Sequence, residues 1–313
     1  MKKFKSFEIN DFPIRYKIIT LLLLISILPS IVLSSLVSFA GDKIIEKQAS
    51  KHTLQLIGQA NKSLEAYVDN MQDISYLISF NPETIQFLHS GENQDPNLSY
   101  QINQFLQGFT TVNPEIAGIL VVNNDGKYSS NELYARNITP LTNEGWYSEA
   151  VENKGIFKVI GHPEDRILKT HVNYTNSEIV SGVRAILDSE TQKVIGVVLI
   201  DLKLRVISEI IEDVTLGKSG YLMVIDNEGQ VIYSPPDSLV DQINPSWFKD
   251  GKSNSFSKKI NGVNMQFIYR SSPFTNWTTI GVFPTNESVP EVKKINFYVI
   301  SFLYLICPFG IGA

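Results

Sequence analysis

The sequence predicts an α+β protein: a long N-terminal helix, then two modules built on antiparallel sheets, the whole flanked by two transmembrane helices. Three observations carry this. Residues 42–79 place apolar side chains at helical spacing with no proline. Two passages in the middle of the chain repeat one strand–turn–strand pattern. Two uncharged apolar runs stand near the ends.

In the helix, Ile57, Leu64, Met71 and Ile78 fall seven apart, with Ala60, Tyr67 and Ile74 between them. That is a heptad-like stripe. Two uses fit it: packing on the helix's own domain, or a seam between two copies, which makes a homodimer an expected assembly. Phe80-Asn81-Pro82 ends the helix and residues 90–97 form a loop.

The first apolar run, residues 18–40, carries no charge and reaches the length of about 20 residues that a bilayer core requires. Lys2, Lys3, Lys5, Arg15 and Lys17 precede it against Glu8 and Asp11, which predicts a cytoplasmic N-terminus. The alternative is a cleaved signal peptide ending at Ser38-Phe39-Ala40, although the run exceeds the usual apolar core of about 7–15 residues. The second run, 295–313, follows Lys293 and Lys294 on the side expected outside, against the positive-inside tendency. A removed lipid-anchor tail is the weaker reading, for no run of small residues marks an attachment site. The expected organisation is a cytoplasmic N-terminus (1–17), a first span (18–40), a long outer helix (41–79), a membrane-distal module (80–202), a linker helix with a membrane-proximal module (203–294), and a second span (295–313). The chain is then a multi-pass protein of the cell membrane with residues 41–294 outside. It reads as the front part of a longer protein.

Composition excludes several classes. The one cysteine, Cys307, lies in the second run, so the outer region has no disulfide to hold it. A net charge of −5 gives no footprint for nucleic acid. His52, His89, His162 and His171 show no metal-ligand spacing. Gly217-Lys218-Ser219 resembles a phosphate loop, but Glu212 stands where that motif needs glycine. No nucleophile elbow occurs. The outer region is expected to have no catalytic residues, no metal and no cofactor.

The repeat is the clearest sign of two modules. Residues 119–130, ILVVNNDGKYSS, match 222–234, LMVIDNEGQVIYS, so that Asn123 to Gly126 align with Asp226 to Gly229. Each is an apolar strand, a turn ending in glycine, and a second strand. VIGVV (194–198) and TIGVF (279–283) close the two modules, and residues 202–214 have the spacing of a joining helix. Just before that helix, Asp201 ends an apolar strand. A buried carboxylate needs a partner. Alternation places it on one face with Val197 and Leu199, and a tight hairpin adds Arg184 to that face. There it could meet a ligand. Alternatively it caps the following helix, without a capping box, because Leu204 stands three residues on.

Taken together, the long helix, Trp146-Tyr147, the strand GVVLIDL (196–202), the passage LGKSGYLMVIDNEGQVIYSP (216–235) and the closing strand resemble a double Cache domain. This is the extracytoplasmic, PAS-like sensor of many bacterial receptors. FPIRYKIITLLLLISILPSIVLS (12–34) and SGVRAILD (181–188) look most like sensor histidine kinases of the YesM type. The resemblance implies HAMP and kinase domains after the second span, and a cytoplasmic response regulator reached through them. It also implies a ligand held in the distal module, with Trp146 and Tyr147 as an aromatic wall. Where relatives that bind amino acids carry an arginine, this chain has Glu144. Where they carry tyrosine and aspartate, it has His162 and Glu164. Their last acid, which meets the ligand's amino group, is kept as Asp201. The implied ligand is a small molecule other than a standard free amino acid, unless Arg184 or Lys169 replaces the missing arginine. The expected function is a membrane-anchored sensor feeding a histidine kinase. The alternatives are a chemoreceptor or cyclase receptor, or a surface-anchored binding or adhesion protein.

Overall fold

The computed structural model describes residues 13–90, 96–135, 139–163, 166–172, 174–214, 216, 218–240, 243–248 and 254–285, with backbone alone for much of 19–49. The expected second span, 295–313, and the candidate Glu164 lie outside the described residues. Among those residues no helix is long and apolar enough to cross a membrane.

The chain divides into two compact units, Thr53–Phe283 and Met1–His52 with Pro284–Ala313. The helix α1, Ile14–Ser79, runs for 66 residues with Pro29 inside it. Its portion from Thr53 onward belongs to the first unit, which also holds both sheets.

One sheet consists of β1 (Ile116–Asn123), β2 (Tyr128–Asn131), β4 (Lys158–Gly161), β6 (Ile179–Leu187) and β7 (Val194–Lys203), in the order β2-β1-β7-β6-β4. Beside it, β3 (Leu133–Ala135) pairs with β5 (Leu168–Thr170). The other sheet holds β8 (Tyr221–Ile225), β9 (Val231–Tyr233), β10 (Ser255–Ile260), β11 (Val263–Ser271) and β12 (Thr278–Pro284), in the order β10-β11-β12-β8-β9. Both sheets place an opening hairpin beside the last strand, which pairs antiparallel with the first. Read from the hairpin, the two orders are the same.

Local chemistry explains why the hairpins match. Asn123 Oδ1 accepts from the amides of Asp125 (3.0 Å) and Lys127 (2.9 Å). Asp226 Oδ1 accepts from those of Glu228 (2.9 Å) and Gln230 (2.8 Å). In each turn the glycine three residues on sits at positive φ, +82° at Gly126 and +87° at Gly229, where a side chain would clash.

The α1 stripe is spent on its own fold. Ile57, Ala60, Leu64, Met71, Ile74 and Ile78 are at most 3% exposed and Tyr67 packs beside them, in one core with residues of both sheets. Burying each large member contributes roughly 1.5–3 kcal/mol. The opposite face shows Gln55, Gln59, Lys62, Asp69 and Asp73 to solvent, with Tyr76 and Leu77 exposed near the end of the helix.

Two shorter helices, α2 (Pro82–His89) and α3 (Pro96–Val112), add to that core, and Asn81 caps α2 by accepting from the Thr84 amide at 2.8 Å. On the other face of the first sheet lies α4 (Gly145–Glu152), with Trp146, Tyr147 and Ala150 packed against Leu120, Val122, Val183, Val197 and Leu199. The joining helix α5 (Leu204–Glu212) buries Ile207 and Ile211.

Candidate functional site

Asp201 meets an arginine of its own chain. It stands in β7, the central strand of the first sheet, and is fully buried. Arg166, between β4 and β5, donates from Nη1 to Oδ1 (2.8 Å) and from Nη2 to Oδ2 (2.7 Å). Ser181, its partner across β6, adds a bond to Oδ1 at 2.6 Å. The two charged side chains are 2% and 0% exposed. A bidentate pair with a third donor is the geometry in which two buried charges offset their own desolvation. Asp201 is not a helix cap: Lys203 is the N-cap residue of α5 and no side chain caps that end.

Arg166 was not a candidate from the sequence. Its signal was indirect, since a carboxylate inside an apolar strand demands a cation somewhere. Arg184, the cation nearest by register, goes elsewhere. The pairs Ser181–Asp201, Val183–Leu199 and Ala185–Val197 share the site face, while Arg184 faces Val198 on the other side. The cause is a register shift near the turn: Ile186 pairs with Gly196 but Leu187 pairs with Val194. The extra residue makes a bulge and flips the face expected from a tight hairpin. Arg184 instead places its guanidinium 5.6 Å from the Tyr76 ring of α1. Burial there lowers its pKa, against the opposing influence of Tyr76 and Asp73.

A cavity of about 490 Å³ opens beside Arg166. Glu144, Trp146 and Glu149 line it from α4 and its entry, residues 160–163 and Arg166 from the end of β4 and the passage after it, and Asp226, Glu228, Gln230, Val231 and Ile232 from the second module's hairpin. Of the expected site residues, Trp146 and His162 line it, whereas Tyr147, Arg184 and Asp201 do not. Tyr147 packs edge-on to Trp146 and donates to Asn124 Oδ1 at 2.9 Å. Its burial raises the phenol pKa. Glu144 also lines the cavity and accepts weakly from the Ile167 amide at 3.4 Å. Lys169 pairs with Tyr134 at the β3–β5 ribbon and is not among the lining residues.

His162 joins the two modules. Its Nδ1 lies 2.7 Å from the Ile179 carbonyl oxygen and its Nε2 lies 2.9 Å from that of Ile232. The neutral ring donates to only one of these acceptors, and the protonated ring to both. Glu149 hydrogen-bonds Lys158, which holds its carboxyl below the ordinary range. Among the described residues no cluster of His, Cys, Asp and Glu could hold a metal ion.

The sequence profile of the Cache domain (dCache_1) matches residues 41–291. The chain belongs to the Cache domain family. A Cache domain is a sensory, ligand-binding module, so this chain is not a catalyst. Among curated proteins, the methyl-accepting chemotaxis protein TlpA of Bacillus subtilis is 23% identical over 202 residues, 62% of this chain and 28% of that protein. A probable methyl-accepting chemotaxis protein of Bacillus thuringiensis is 22% identical over 216 residues, 67% of this chain and 31% of its own length. The chain therefore spans less than a third of either relative. Among solved structures, the ligand-binding domain of the Campylobacter jejuni chemoreceptor Tlp3 with 4-methylisoleucine superposes at a TM-score of 0.60 and 14% identity, covering 79% of this chain and 94% of that one. That of the Pseudomonas fluorescens chemoreceptor CtaA with L-isoleucine gives 0.58 and 13%, covering 80% and 98%. At such identities the likeness shows the Cache fold alone.

Proposed function

We propose that this chain is the input part of a membrane-anchored receptor, with residues 41–294 outside the cell and a small ligand sensed in the cavity beside Trp146, His162 and Arg166. The observation that carries the reading is the family match over the outer region, with the cavity bounded on one side by the first module and on the other by the β8–β9 turn. A ligand there touches both modules and biases any state in which they are arranged differently. It needs differential affinity for those states, which a cavity shared by two modules can provide.

The chemotaxis relatives favour a chemoreceptor output over a histidine kinase. The kinase reading, with its response regulator, rests on residues 12–34 and 181–188 alone. The solved relatives hold 4-methylisoleucine or L-isoleucine, yet Glu144 on the cavity wall disfavours a ligand carboxylate in this chain. We take the ligand to be other than a free amino acid.

Topology tests the placement. After Cys307→Ser, cysteines are introduced singly as Ser6→Cys and as Gln59→Cys on the exposed face of α1. In intact cells an impermeant thiol reagent is expected to label only the second. Equal labelling of both would overturn the outer placement.

A further inference from the structure

We propose that the proton is a second input to this chain, read by His162: the charged ring ties the two modules together, and the neutral ring leaves one of its two bonds unmade. This input is separate from the small molecule of the cavity and does not depend on it.

His162 stands where the edges of the two sheets meet. It follows β4, the edge strand of the first sheet, and its Nε2 reaches the carbonyl of Ile232 in β9, the edge strand of the second. Its Nδ1 reaches the carbonyl of Ile179 at the start of β6. Gly161 sets this aim. It turns the chain at φ +72°, where side chains are rarely found, and a Cβ there would lie 3.5 Å from Ile232 Cδ1.

Both partners are carbonyl oxygens, which accept and never donate. At 2.7 and 2.9 Å each ring nitrogen stands at full hydrogen-bonding distance. Whichever tautomer the neutral ring takes, one nitrogen turns its lone pair toward an oxygen. Rotating the ring by half a turn puts carbon in both places and loses both bonds. Only the imidazolium satisfies both carbonyls.

The charges around the ring do not oppose this. Glu144 and Glu149 face the cavity from α4, Arg166 from the passage after β4, and Asp226 and Glu228 from the β8–β9 turn. Arg166 is held by Asp201 and Glu149 by Lys158. Glu144, Asp226 and Glu228 have no ion pair among the described residues, so the unpaired charges of the lining are negative. Beside the two carbonyls, Glu178 is bonded to Thr175 and Glu212 to Tyr233. A proton on His162 therefore adds one bond across the junction. That bond is made below the range of about pH 5–8 in which histidine titrates, and lost above it. Acidity then favours whichever receptor state keeps the junction closed.

The test uses the intact chain in lipid nanodiscs and follows backbone hydrogen exchange in β9 relative to β12 of the same sheet, at about pH 8 and about pH 5.5. The ratio removes the intrinsic pH dependence of exchange. In the native chain β9 is expected to slow several-fold against β12 as the pH falls. His162→Gln, which donates but does not titrate, should lose that response. A chain carrying His52→Gln, His89→Gln and His171→Gln together should keep it, since His162 is then its only histidine. Should His162→Gln fail to fold, the imidazole carbon signals of the triple variant take its place: their titration and the slowing of β9 must share one midpoint. A native ratio unchanged with pH would overturn the proposal. So would a response that survives His162→Gln, one that vanishes from the triple variant, or two separate midpoints. None of these readings involves a small molecule, so failure here is distinguishable from failure of the cavity as a ligand site.

Discussion

Asp201 and Arg166 are each tolerable in the core only because of the other. Removing one leaves a buried charge unpaired, which costs about 3–5 kcal/mol, whereas replacing both by apolar side chains of similar volume is often neutral or better. In urea unfolding, Arg166→Met alone is expected to lose roughly that much stability, and Arg166→Met with Asp201→Leu to recover most of it. A loss in the double variant equal to the sum of the losses in Arg166→Met and Asp201→Leu would show that the pair is not coupled. The partnership was hard to read from sequence because the two residues lie 35 apart and Arg166 sits outside the regular strands. The need for a partner was legible in Asp201; its identity was set by tertiary structure.

At the scale of elements, the sequence was informative wherever the chemistry is local. The paired hairpins follow from Asn123 and Asp226 bonding their own turns and from Gly126 and Gly229 at positive φ. The α1 stripe was legible as a stripe, but not its use, because a heptad pattern does not say whose core it enters. Leu64→Ala should cost about 2–5 kcal/mol, with an unfolding midpoint independent of protein concentration; a midpoint that rises with concentration would restore the seam between copies. The β6–β7 hairpin failed for a different reason: one bulged residue reverses every face beyond it, and no residue type announces it. In its turn, Asp188 accepts from the amide and hydroxyl of Thr191 (2.7 and 2.8 Å) and from the Glu190 amide (3.2 Å). These bonds, led by the Thr191 amide, hold its pKa below the ordinary value. A carboxyl depressed in the folded state adds stability above its unfolded value, lost as pH falls through the folded one. The melting-temperature gap between the native chain and Asp188→Asn is therefore expected near neutral pH and should close once pH falls well below about 4. A gap unchanged at low pH would remove the charge from the account.

Across the whole molecule, the family was legible from residues spread along the chain, while the cavity gathers only some of the residues that the resemblance implied. Trp146 and His162 reach the cavity, Glu144 joins them, and Asp201 is withdrawn behind Arg166. His162 and Ile232 tie the first module to the second across that cavity, so a bound ligand and the module junction share one wall. The central claim is that sensing happens there. Hydrogen–deuterium exchange, with and without the tightest binder among neutral sugars, L-amino acids and dicarboxylates, tests it most directly. Protection is expected together in α4, in residues 158–163 and in the β8–β9 turn around Asp226. Protection confined to β10 and β11, or to α3, would place the ligand outside this cavity and contradict the account.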